Sequence, residues 1–145
     1  ILRNPFNRLI SSFRWRKGKQ IQRILEKRLK RLRKQDLLKE MFLAHVVYDQ
    51  GNLNERGVNL LFGTNKDGTT WGVDHVFKLE DLQSAKNILH DQLGIAIDLK
   101  RMPRFKENTI TIPSGINLWD RETIKAATNR FLWEFTNLDY PPTPL

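Results

Sequence analysis

Apolar positions recur along the chain with two periods. From Lys17 to Lys34 they fall at helical spacing, with Leu25, Leu29 and Leu32 sharing one face with Ile21. A second face of that segment is cationic, with Lys19, Arg23, Lys27, Lys30 and Lys34 recurring every three or four residues. The apolar phase then slips. On one straight helix Leu38, Met41, Phe42 and His45 would lie opposite Leu25, Leu29 and Leu32, and Arg33-Lys34-Gln35-Asp36 sits at the slip. The pattern predicts a kink or break there, an exposed first half, and a core-packed second half from Leu37 to Tyr48. Gly51 is placed to cap that helix in a left-handed conformation.

Beyond Gly51 the period shortens to two. Strands are predicted at about 58–62 and 70–78, joined by the hairpin turn Asn65-Lys66-Asp67-Gly68. The second would place Trp71, Val73, His75 and Phe77 on one face. Helical spacing returns over Glu80–Leu93, with Leu82, Ala85, Leu89 and Leu93 inward and Gly94 as the stop. Ile95, Ile97 and Leu99 alternate as a third strand, Met102-Pro103 turns the chain, and 105–113 reads as a fourth strand around Ile110 and Ile112. Asp120 is placed to cap a last helix, Arg121 to Phe135, burying Ile124, Ala127, Phe131 and Phe135. The tail Asp139-Tyr140-Pro141-Pro142-Thr143-Pro144-Leu145 is expected to be extended. Residues 1–15 show no clean period; Phe6, Leu9, Ile10 and Phe13 could form one short amphipathic turn set, and the stretch reads as an extension that folds on a partner.

The expected fold class is therefore α+β. A basic N-terminal helix precedes an αββαββα order with a four-stranded antiparallel sheet, helices on one face and the other face open to a ligand, a partner or a duplex groove. The expected divisions are a basic arm at 1–35, the α+β domain at 36–137 and an extended tail at 138–145.

Charge sharpens this picture. The 145 residues carry a net charge of +9, unevenly placed. Residues 1–40 hold 14 Lys and Arg against 3 Asp and Glu, whereas residues 41–145 hold 11 against 13. Like charges at i,i+4 repel by a few tenths of a kcal/mol per pair, so an isolated helix this cationic loses stability that a polyanion would restore. Nucleic acid, DNA or RNA, is the expected partner, with other subunits of an assembly beside it. A membrane surface, met by the aromatics and arginines of residues 1–15, is the lesser reading, and no apolar run reaches the roughly 18 residues of a span. The candidate phosphate contacts are Arg14, Arg16, Lys17, Lys19, Arg23, Lys27, Arg28, Lys30, Arg31, Arg33 and Lys34. Lys100, Arg101, Arg104 and Lys106 flank the turn at Met102-Pro103 and form a second basic tip. Trp15, between Arg14 and Arg16, is the candidate for stacking a base.

Candidate chemistry is sparse. The chain has no cysteine, which excludes disulfides, thiolate zinc sites and cysteine nucleophiles and leaves the compartment open, intracellular or organellar. Three scattered histidines form no metal-binding spacing, and His75 reads as a packed residue at the core edge. The expected function is non-catalytic binding of nucleic acid, within a ribonucleoprotein or DNA–protein assembly, with no cofactor.

The order of elements and one short motif resemble the LAGLIDADG homing endonucleases. Their namesake motif ends the first helix, where Phe42-Leu43-Ala44-His45-Val46-Val47-Tyr48-Asp49-Gln50-Gly51 stands here. Leu43, Ala44, Val46, Val47 and Gly51 match. His45 replaces a small residue needed for close helix packing, and Gln50 replaces the metal-binding acid, with Asp49 one place early. The resemblance implies a saddle-shaped sheet astride DNA. In an active enzyme of this kind a carboxylate would hold Mg²⁺ and activate water. Gln50 cannot supply that charge, so a binding-only descendant is implied, and Asp49 is the one candidate ligand if a nuclease persists. A second stretch, Leu82 to Pro113, is similar to the small α/β domain preceding the motor of FtsK-type DNA translocases. That likeness implies a membrane-proximal domain with an apolar span upstream of Ile1. The phosphate-binding loop of such motors is absent from the sequence.

Overall fold

The computed structural model describes residues 3–48, 75–101 and 110–144. The chain divides into two units, residues 1–4 with 55–107, and residues 5–54 with 108–145.

The larger unit begins with α1 (Pro5–Glu26), which starts where the sequence showed no period. Pro5 occupies the first helical position, where its missing N–H costs nothing. Phe6, Leu9, Phe13 and Ile21 then form a stripe along one side and are all essentially inaccessible to solvent. The N-terminal stretch is therefore a core helix and not an extension. These positions share one helical face, and the partners brought in from far along the chain decide that this face is buried.

A short connection, residues 27–30, leads to α2 (Arg31–Tyr48). The break falls before Arg31, about one turn earlier than the phase slip suggests. The carbonyls at the end of α1 need donors, and Lys34 supplies one, its Nζ donating to the Leu25 carbonyl at 2.5 Å. A cation there also suits the negative end of the helix dipole. Leu38, Phe42, His45 and Val46 are the buried face of α2.

After residue 110 the chain runs without regular structure to Pro113 and turns, the Ile116 N–H donating to the Pro113 carbonyl at 2.9 Å. Gly18 on α1 makes room for this run, since a Cβ there would stand 3.2 Å from Ile110 Cγ1. The Arg14 Nε donates to the Ile110 carbonyl at 2.5 Å.

Asp120 caps α3 (Arg121–Arg130) as the sequence predicts. Its carboxylate accepts the Thr123 N–H at 2.9 Å, and its own N–H donates to the Thr123 hydroxyl at 2.8 Å. Phe131 interrupts the helix, and α4 (Leu132–Asn137) follows. Aromatic rings join α1, α2, α4 and Trp119, which stands just before α3, in one core. Phe6 meets Trp119 edge-on at 4.9 Å and Phe135 at 5.1 Å, and Phe42 meets both Phe13, at 5.0 Å, and Trp119, at 4.8 Å. Leu138 and Tyr140 are buried as well, so the start of the tail belongs to the packed structure.

The smaller unit contains α5 (Leu82–Leu93). Asp81 caps it, accepting from the Ser84 N–H at 3.2 Å and its hydroxyl at 2.6 Å. Gly94 ends it with φ +64°, a conformation that favours glycine. Of the four positions expected inward, Ala85 is buried, Leu82 and Leu89 are half-buried and Leu93 is exposed.

The α+β expectation does not hold. Among the described residues there is no sheet, and the fold is mostly helical. Residues 95–98 stay irregular and Leu99–Arg101 wind into a 3₁₀ turn, closed by the Arg101 N–H on the Asp98 carbonyl at 3.1 Å. Alternation of three apolar residues is too short to impose a strand when Asp98 offers such a turn. Residues 110–113 form no strand, and the Ile110 carbonyl accepts from Arg14 instead of a neighbouring strand. Residues 75–77 are irregular, and Lys78 is extended with one isolated bridge. His75 is exposed and stacks on Phe77 at 6.0 Å, which replaces the packed core-edge role expected for it. The strand at 58–62, its hairpin turn and Gly51 lie outside the described residues.

Candidate nucleic-acid interface

The predicted cations separate into three groups. Arg14 and Lys34 serve the fold, each holding a backbone carbonyl. Arg16, Lys19 and Arg23 are exposed on α1, with Lys17 half-buried among them. Lys27, Arg28 and Lys30 in the connection, and Arg31 and Arg33 at the start of α2, are all exposed. The straight cationic row read from the sequence thus holds only as far as Arg23. Beyond it the chain bends, and the cations fan around an elbow.

The elbow is fixed from below. Lys34 ties its second arm to Leu25 on the first, and the Arg31 guanidinium donates to the Gly115 carbonyl at 2.6 Å. Arginine has five N–H donors, so this contact leaves Arg31 able to bind a second acceptor. A cavity of about 360 Å³ lies here, lined by Leu25, Leu29 and Ile116 together with Arg31 and Lys34. Glu26 is the one carboxylate in the segment 16–34, and it accepts from Gln22 at 2.8 Å. It pairs with none of the described cations.

Elsewhere in this unit Arg8, Lys39 and Arg130 are occupied, while Arg121 and Lys125 are exposed on α3. Arg8 pairs with the buried Glu134 at 2.6 Å and lies over the Phe131 ring at 4.8 Å. Arg130 donates to the Val46 carbonyl in the last turn of α2. Lys39 stands 3.6 Å from Asp120. The Asp120 carboxyl is held below its ordinary value, first by the Thr123 N–H, against a smaller opposing effect of burial, with the Thr123 hydroxyl and Lys39 adding to the lowering.

The second predicted tip falls in the other unit. Lys100 and Arg101 are exposed on the 3₁₀ turn, and the turn expected at Met102-Pro103 lies outside the described residues. Asp98 engages both, accepting the Lys100 N–H at 3.0 Å and lying 3.4 Å from the Arg101 guanidinium. Arg104 and Lys106 lie outside the described residues, as do Asp49, Gln50 and Gly51 of the short motif. The earlier part of that motif, Phe42 to Tyr48, forms the last two turns of α2, with His45 buried 5.5 Å from the Phe13 ring. Among the described residues no three His, Asp or Glu side chains converge as a metal site. No helix among them is long and apolar enough to cross a membrane.

No known protein family, characterised protein or solved structure shows significant similarity to this chain.

Proposed function

We propose that the chain binds nucleic acid through phosphate contacts made by the exposed cations from Arg16 to Arg33, as a non-catalytic member of a nucleoprotein assembly. One observation carries this reading. Lys19, Arg23, Lys27, Arg28, Lys30, Arg31 and Arg33 all reach solvent from one stretch of α1, elbow and α2, with no ion pair to a described carboxylate. Charges left this close repel one another and raise the free energy of the unbound state. A phosphate backbone removes that repulsion and releases its own condensed counterions. The apolar side of α1 is locked into the core, so the cations sit on a scaffold already ordered before binding. Less conformational entropy is then lost on association than for a disordered basic tail.

The test is a salt titration of binding to DNA and RNA, followed by fluorescence anisotropy. Four cations on phosphates give a log–log slope of about −3.6 on a duplex and about −2.8 on a single strand. The double variant Lys27→Glu/Lys30→Glu should weaken binding to every sequence tested and flatten the slope. Binding that does not respond to salt, or that survives this variant unchanged, rejects the reading.

A further inference from the structure

We propose that the strand bound along α1 is single, with an unpaired base lying on the Trp15 indole. This deepens the phosphate-binding reading and rests on it.

Trp15 is 58% exposed. Of the other large apolar residues in the first half of α1, Phe6, Leu9 and Phe13 are fully buried and Ile10 is half-buried. An indole is the largest apolar side chain available, and this one is turned to water. Its surroundings are cationic. Lys19 and Arg23 follow at i+4 and i+8, on the same side of the helix as Trp15, and Arg16 adjoins it. Each step of four residues rises about 6 Å along the axis. The row therefore offers one flat aromatic surface followed by positive charges at regular intervals, ending at the elbow cations.

A duplex can satisfy those charges but not that indole. Its bases are stacked on one another and present only their edges in the grooves. A single strand turns its bases outward, and any of the four can lie flat on an aromatic ring while its phosphates follow the cations. A lipid surface would also accept a tryptophan beside lysine and arginine. Here, however, Phe6, Leu9 and Phe13, which would have to insert with it, are committed to the core.

The experiment compares the full chain with Trp15→Leu and Trp15→Phe. Binding is measured to oligothymidylate, to a duplex of the same length, and to vesicles of mixed phosphatidylserine and phosphatidylcholine. The wild type should prefer the single strand. Trp15→Leu should weaken single-strand binding about 5- to 150-fold, the loss expected for one stacked base, and leave duplex binding unchanged. Trp15→Phe should recover part of the loss, and its salt slope should match the wild type. Equal losses on both nucleic acids, or no loss on either, overturns the inference. So does tryptophan-dependent binding to the vesicles without preference for the single strand. If Lys27→Glu/Lys30→Glu abolishes binding while Trp15→Leu does nothing, the phosphate reading stands and this inference alone fails. If the wild type binds neither nucleic acid, the phosphate reading itself fails.

Discussion

Phe13→Ala tests whether the N-terminal helix is part of the core or an appendage. The Phe13 ring is completely buried, 5.0 Å from Phe42 and 5.5 Å from His45, both on α2. Replacing a buried phenylalanine by alanine typically costs about 3–5 kcal/mol, combining the lost transfer energy with the cavity left behind. The edge-on geometry with Phe42 adds about 0.5–1.5 kcal/mol of ring pairing to what is lost, placing Phe13 in the upper part of that range. A domain of this size is stable by only about 5–15 kcal/mol, so a third or more of its stability is at stake. Leu32→Ala is the control, because Leu32 is 75% exposed and should shift stability by no more than about 0.5 kcal/mol. Urea unfolding followed by tryptophan fluorescence and circular dichroism measures both. If Phe13→Ala behaves like Leu32→Ala, α1 does not share the core, and the argument for a preordered cationic surface falls with it.

Three further outcomes are expected. Asp120→Ala should cost about 1 kcal/mol at neutral pH through the lost cap. Because the Asp120 carboxyl titrates below its ordinary value in the folded chain, its contribution is complete above the unfolded value near 3.9 and disappears as pH falls through the folded one. The difference between the two proteins in urea midpoint should therefore shrink below about pH 4, and a constant difference would refute the assignment. Arg8→Met should cost about 3–5 kcal/mol because it strands the Glu134 carboxylate, whose side chain is only 5% exposed. Glu134→Gln should cost less, since Arg8 can still reach water, and the reverse order in thermal melts would count against this pairing. Gly94→Ala should lower the stability of the smaller unit by about 1–2 kcal/mol through its positive φ, read by hydrogen exchange along α5.

Local signals in this chain were legible from the order of residues. The Asp120 cap, the Gly94 stop and the core-packed half of α2 each depend on a few neighbours along the chain, so short-range pattern is enough to find them. The density of cations before residue 40 is likewise a property of composition alone, and the structure changes only how those cations are arranged. The sheet was misread for a related reason. Alternation at Ile95, Ile97 and Leu99 satisfies a strand pattern, yet a strand also needs a partner with free carbonyls and N–H groups at the right height. Asp98 engages the backbone there first, its carboxylate and its carbonyl accepting the Lys100 and Arg101 N–H groups, a competition that the residue pattern does not reveal.

Tertiary structure alone decided the role of the first turns. Phe6, Leu9 and Phe13 are apolar in any reading, but whether they wait for a partner or close a core depends on Phe42, Trp119 and Phe135, brought in from far along the chain. It also separated the cations that hold carbonyls from those that face water, a distinction invisible in a string of identical charges. Composition can state how much charge or apolar surface a segment owns. Only packing states which atoms remain for something else to touch, because burial is a property shared between segments and never of one segment by itself.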